Sequence, residues 1–269
     1  MIEILHSLFL GIVQGLTEFL PVSSSAHLNI FPWLFKWEIT ESFDLALHTG
    51  TLLAIVIYFF KDFIDIVVGG YKSVVKKENS LNGRLFWYIV ISTIPAGIVG
   101  KLLEKVVDTL IDGDLNVEMI VISLALIIMG IVLYVIDKRS SSKITLERMT
   151  FKQGFFVGLS QAVAGALPGV SRSGATITTA RAFGIDRESA ARYSFLLSAP
   201  MIAGAVLLSL GEFDFSVSFF VGIFASFVVG LAVIKFLMNF IKKKSYGVFA
   251  IYRVIFGFII LVTAIIRMI

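Results

Sequence analysis

Within GLTEFLPVSSSAHL, Gly15 to Leu28, a carboxylate (Glu18), three successive serines and an imidazole (His27) gather around Pro21. A second stretch, PGVSRSGAT from Pro168, sets Ser171, Arg172, Ser173 and Thr176 around Gly169 and Gly174. A planar guanidinium suits bidentate contact with phosphate or carboxylate oxygens. Small hydroxyl residues and glycine let backbone N–H groups approach an anion, above all where a helix begins. The second stretch therefore reads as an anion cradle, for phosphate in particular. The first offers Glu18 as acid or base, Ser23 and Ser24 as hydroxyl nucleophiles, and His27 as a base. Ser24 and His27 lie three residues apart and face one another if the segment is helical, a layout suited to covalent catalysis. With Arg172 stabilising charge on a transferring phosphoryl group, these parts suit hydrolysis of a phosphate ester or anhydride. Ser24, deprotonated by His27 or Glu18, would attack the terminal phosphorus in line. In the alternative, Glu18 activates a water and Ser24 only binds.

Each residue also has a plainer reading. Glu18 and Arg172 would neutralise each other as a buried ion pair. The serines would cap a half-helix or hydrogen-bond freed carbonyls. Gln14 and Gln161 are as well suited to structure as to catalysis. His6 and His48 have no polar company in the sequence and read as structural.

The elements that carry these residues are apolar. Of 269 residues 57% are hydrophobic and 16% charged, outside the usual composition of a soluble domain. Runs such as Leu45–Phe60, Leu85–Gly100, Met119–Ile136, Phe219–Leu237 and Val248–Ile266 approach the ~20 residues needed to cross a ~30 Å hydrocarbon core. The chain reads as an all-α polytopic membrane protein. Without cysteine, disulfides, thiolate chemistry and Cys-ligated metals are excluded. The N-terminus lacks the basic region of a cleavable signal peptide. The net charge of +4 sits in short loops, where topology explains it without nucleic acid.

Loop charge sets the orientation. The loops Lys61–Arg84 and Asp137–Lys152 carry five basic residues each and Lys242–Lys244 three, against one, two and none in the other three loops. The basic loops belong in the cytoplasm. Residues 1–42 then start and finish outside, and 151–187 start and finish inside, so each reads as a re-entrant hairpin. The expected architecture is six transmembrane helices and two re-entrant helical hairpins, with both termini outside.

The hairpins also match each other. GIVQGLTEFLPVSSS from Gly11 and GLSQAVAGALPGVSR from Gly158 share G-x-x-Q-x5-L-P-x-x-S at an offset of 147, pairing Ser24 with Ser171. Their opposite orientation makes the repeat inverted, with one copy at about 1–136 and the other at about 151–269 of a single membrane domain. Inverted repeats with interrupted helices place a polar site near mid-membrane. Pro21 and Pro168 should break each hairpin at its tip, and broken backbone at that depth must be buried in protein or line a wet cavity. The two tips should therefore meet. A transporter or lipid flippase would use the same architecture, but would not need Ser24 and His27 together.

QGLTEFLPVSSSAH and PGVSRSGATI resemble the two signatures of the undecaprenyl-diphosphatase family, membrane phosphatases of the bacitracin-resistance type. FDLALHTGTLLAIVIYF, IPAGIVG, YSFLLSAPMIAGA and FAIYR fall in the family's order, so the resemblance covers essentially the whole chain. It implies an integral enzyme of the plasma membrane, open to the outer side, that hydrolyses a polyprenyl diphosphate to the monophosphate and phosphate and so recycles a cell-envelope lipid carrier. By motif position Glu18, His27 and Arg172 would be essential and Ser24 a candidate nucleophile. Gln14, Ser23, Ser171, Ser173 and Thr176 would line the diphosphate site. Position 14 holds Gln where Glu is frequent in the family, which makes a protein-built Mg²⁺ site harder to assemble. A divalent cation, Mg²⁺ or Ca²⁺, stays an option with no protein ligand assigned. Oligomeric state, a dimer included, is not legible, because lipid-facing and helix-facing apolar surfaces look alike.

Overall fold

The computed structural model of the chain describes residues 2–37, 40–111, 114–209, 211, 213 and 215–269. Among these residues the regular structure is helical, apart from an isolated bridge between Ile144 and Ile185. Helices α1 (Ile2–Thr17) and α2 (Ser24–Phe35) are joined by a broken turn, followed by α3 (Glu41–Tyr58), α4 (Phe60–Val75), α5 (Leu81–Ile111) and α6 (Leu115–Arg139). The chain then repeats the plan. Short helices α7 (Phe151–Leu159) and α8 (Gln161–Ala166) meet α9 (Arg172–Ala182) across a second broken turn, ahead of α10 (Arg187–Leu208), α11 (Val217–Ile241) and α12 (Gly247–Met268).

Among the described residues five helices are long and apolar enough to cross a membrane: Leu81–Val107, Leu115–Arg139, Arg187–Leu208, Val217–Ile241 and Gly247–Met268. Helix α3, expected as a further crossing, has 18 residues, at the lower end of the lengths that cross a bilayer. The basic loop Lys61–Arg84 contains α4, which charge counting overlooked. Its exposed Phe60, Ile64, Val67, Val68 and Tyr71 recur at helical spacing along one face.

Polar residues at the boundaries start the helices. Thr150 and Gln153 form a capping box that opens α7, and the side chains of Asp114 and Asp186 accept the first N–H groups of α6 and α10. Such caps satisfy donors that no intrahelical carbonyl can reach. Between helices, small residues bring backbones together. A Cβ on Gly11 of α1 would lie 2.6 Å from the Gly222 carbonyl of α11, so only glycine permits this approach, as at many membrane helix contacts. The core reaches the first broken turn through Phe19, which is fully buried and meets Phe195 of α10 edge-on at 5.5 Å.

At the far end of α9 a second polar knot ties four helices. Asp137 of α6 accepts from Arg181 Nε at 2.7 Å, Arg187 Nε at 3.0 Å and the Tyr246 backbone N–H at 3.1 Å. Arg181 is wholly buried, so removing the carboxylate strands a charge, which costs about 3–5 kcal/mol. Asp137→Ala should therefore lower the thermal unfolding midpoint in detergent steeply, and Asp137→Asn less so. An unchanged midpoint for Asp137→Ala would show that the knot does not hold these helices.

Candidate active site

Both turns break where proline falls. After α1 the chain runs through Glu18, Leu20 and Pro21 to Ser23; after α8 it runs through Leu167 and Pro168 to Ser171. Ser23 and Ser171 then adopt the same unusual backbone, with φ of 74° and 71°. Each caps the helix that follows, its hydroxyl accepting the N–H three residues on, from Ala26 and Gly174. Each also bonds the serine two residues on, Ser25 at 3.1 Å and Ser173 at 3.2 Å.

This geometry corrects the register of the repeat. The structural offset at the caps is 171 − 23 = 148, one more than the offset before the prolines. The added residue is Gly169, at φ 90°, where a Cβ would lie 2.6 Å from the Ile122 carbonyl. Ser24 is therefore the counterpart of Arg172 and not of Ser171: each is the first residue of its half-helix.

These two first residues meet on one carboxylate. Ser24 Oγ donates to Glu18 Oε2 at 2.7 Å, and Arg172 Nη2 donates to Glu18 Oε1 at 2.7 Å. Gln14 Nε2, one turn earlier on α1, donates to Glu18 Oε2 at 3.2 Å. Arg172 is oriented through Nη1, which donates to the Ser194 carbonyl of α10 at 3.2 Å. Glu18 is buried, so without these donors its charge would be costly. At the corresponding place in the second turn the chain has Gly165 (18 + 147), which has open space around it. The repeat thus carries one acidic centre.

The turns are held together by further bonds. Ser173 Oγ donates to the Leu20 carbonyl of the first turn at 3.0 Å. Arg253 of α12, which is fully buried, donates to the Pro21 carbonyl at 3.2 Å, to Gly169 at 2.8 Å and to Val170 at 2.9 Å, and also reaches Leu126 of α6. Its guanidinium thus spans both tips. Sequence reasoning passed over Arg253 although FAIYR was in view. A lone arginine inside an apolar span is the same signal that singled out Arg172.

Several expectations change. The His27 ring does not face Ser24. Its Nδ1 lies 2.7 Å from the Ser23 carbonyl, its Nε2 2.7 Å from the Tyr252 hydroxyl, and its plane stacks on Phe256. A carbonyl only accepts, so Nδ1 carries the proton and Nε2 accepts from tyrosine. The helix start turned the imidazole back onto its own chain, and Glu18 takes the place beside Ser24 that was expected of it. Thr176 Oγ1 is buried between the Arg172 carbonyl and Ser194 Oγ, at 2.9 and 2.6 Å. With Ser23, Ser171, Ser173 and Gly174, it shapes the two helix starts. His6 keeps its structural reading, stacked on Trp37 at 3.9 Å. His48, also read as structural, has its Nε2 3.6 Å from Glu18 Oε2. Only folding brings α3 to the first turn, so no local pattern revealed this contact. The paired glutamines share one feature, a buried Oε1 without a partner among the described residues.

A serine hydroxyl and a guanidinium thus share one buried carboxylate where two helices begin, in a helical protein with helices of membrane-crossing length. Comparison with known proteins agrees. The family model of Bacitracin resistance protein BacA matches residues 7–259. The undecaprenyl-diphosphatase of Caldicellulosiruptor bescii is 44% identical over 97% of this chain and 98% of its own, and that of Desulforudis audaxviator 45% identical over 97% and 98%. The undecaprenyl-diphosphatase of Methanosphaera stadtmanae is 39% identical over 99% and 100%. The chain belongs to the BacA family.

Proposed function

We propose that the protein hydrolyses undecaprenyl diphosphate to the monophosphate and inorganic phosphate, at a site open to the outer side of the plasma membrane, and so recycles a lipid carrier of cell-envelope polymers. One set of contacts carries the reading: Glu18 holds the Ser24 hydroxyl and the Arg172 guanidinium at the same time. The diphosphate enters between the tips and gives Arg172 a second anion. Ser24 Oγ attacks the terminal phosphorus as Glu18 takes its proton. The bond to the bridging oxygen breaks, and the lipid monophosphate leaves with the electron pair. Water then cleaves the phosphoserine: its oxygen bonds to phosphorus, the P–Oγ bond breaks, and one of its protons returns to Ser24 Oγ. Helix N-termini and Arg172 stabilise the equatorial charge.

The architecture that serves this chemistry is the inverted repeat of about 1–136 and 151–269, with α3 as a sixth crossing and the pairs around the two turns re-entrant. Matching caps at Ser23 and Ser171 support it, as does the loop charge. A protein-built metal site does not fit the donors. Both Glu18 oxygens are already engaged, and no group of three or more His, Cys, Asp or Glu suited to a metal gathers among the described residues. No step is assigned to a cation.

The test is rapid quench of detergent-purified protein with undecaprenyl diphosphate labelled at its terminal phosphate. Phosphate release with label trapped on Ser24 is expected. Absence of release, combined with passage of labelled lipid across liposomes, would replace the enzyme with a transporter. Substantial turnover by Ser24→Ala would replace the serine route with direct attack by water.

A further inference from the structure

The proton that Glu18 accepts must leave before the next turnover, and Glu18 is sealed. Its side chain is 5% exposed, His48 is 21% exposed and Asp44 41% exposed. These three side chains form a line. His48 Nε2 is 3.6 Å from Glu18 Oε2, and His48 Nδ1 is 3.7 Å from Asp44 Oδ2. Beyond them opens a cavity of about 620 Å³ lined by Asn29, Trp33, Lys36, Asp44 and Glu118 among others. Exposure rises at every step away from the reacting hydroxyl.

The ring's tautomer is fixed by geometry. His48 Nδ1 lies 2.9 Å from the Asp44 backbone carbonyl, which only accepts, so Nδ1 carries a hydrogen in the neutral ring. Nε2 then presents a lone pair to a carboxylate oxygen. Two acceptors facing each other in a buried place repel unless a proton lies between them. At 3.6 Å the pair lies just beyond hydrogen-bond reach, close enough for a small shift of the ring to let one proton pass between them. The charged groups facing His48 are Asp44 from its own helix, Glu18 from the first turn and Arg172 from α9.

We propose that His48 and Asp44 are the proton exit of this site, a role that rests on the phosphatase reading above. The proton taken from Ser24 passes from Glu18 to His48 Nε2. Nδ1 keeps its hydrogen on the Asp44 carbonyl, and the Asp44 carboxylate stabilises the imidazolium. The partly exposed ring gives the Nε2 proton up to solvent, so the starting tautomer returns and no electrons are exchanged with any other group. His48 acts through Glu18 and touches no substrate atom, so it is a positioning and relay residue.

The experiment compares wild type, His48→Gln, His48→Ala, Asp44→Asn and Glu18→Gln in phosphate release from undecaprenyl diphosphate across pH, with thermal unfolding as a control for folding. His48→Gln should lose about 10²-fold in kcat, at the low end for a proton-transfer group, with KM nearly unchanged and the wild-type pH dependence altered. Asp44→Asn should lose less. Added imidazole should restore His48→Ala by about tenfold, a fraction of the lost proton transfer, and leave wild type and Glu18→Gln unaffected. A folded His48→Gln with the wild-type rate and pH profile would overturn the relay, as would a folded His48→Ala indifferent to imidazole. Failure of the phosphatase reading looks different: wild type itself would release no phosphate, or Glu18→Gln would match it.

Discussion

Arg172→Ala should release phosphate from undecaprenyl diphosphate about 10³-fold more slowly than wild type, the scale on which arginines act in phosphoryl transfer. The loss has two sources. The guanidinium is absent when charge spreads over the phosphoryl oxygens. In addition, the buried Glu18 loses the partner that holds its Oε1 at 2.7 Å, and with it the geometry that presents Oε2 to Ser24. Arg172→Lys should recover little. One guanidinium binds both Glu18 and the Ser194 carbonyl, and a lysine ammonium is a point donor that cannot reproduce a planar fork. The assay is phosphate release by protein that stays monodisperse in detergent. A rate for Arg172→Ala within about threefold of wild type, less than 1 kcal/mol of barrier, would remove Arg172 from the reaction.

Arg253→Met should damage both stability and turnover without touching Glu18. The guanidinium satisfies the carbonyls of Pro21, Gly169 and Val170, which belong to turns that cannot bond within a helix. A buried unsatisfied group costs about 1–3 kcal/mol, so losing three donors at once should exceed about 3 kcal/mol. Methionine keeps the apolar stem and isolates this cause from packing. The thermal midpoint should fall well below wild type, and surviving protein should show a kcat lowered by about tenfold or more, because reacting groups displaced by even 1 Å lose rate steeply. A midpoint and a kcat both equal to wild type would mean that the tips are held by other contacts.

What could be read in advance follows the range of each interaction. Pro21 and Pro168 act on their own backbone, so the broken turns and the helices around them were legible. The meeting of the tips followed from a general constraint, that freed backbone in an apolar setting needs partners, and Glu18 against Arg172 bears it out. The register of the caps was not legible, because one glycine at positive φ shifts the second turn by a residue and a string comparison slides past it. The pairing of His27 with Ser24 failed for a local reason: at a helix start its ring reaches the carbonyl of Ser23 sooner than a neighbour's hydroxyl. His48 was hidden for a non-local one, since α1 and α3 meet through packing on each other and on α11, which no local pattern shows. Arg253 and α4 were readable and missed. The first called for the membrane-arginine rule applied to every span, the second for hydrophobic period alongside charge.

The most direct measurement is a double-mutant cycle in phosphate release: wild type, Ser24→Ala, Arg172→Ala and the double variant. If one carboxylate joins the two groups into a single centre, their effects are far from additive, and the double variant is barely slower than the slower single one. Independent losses that multiply in full would contradict that centre.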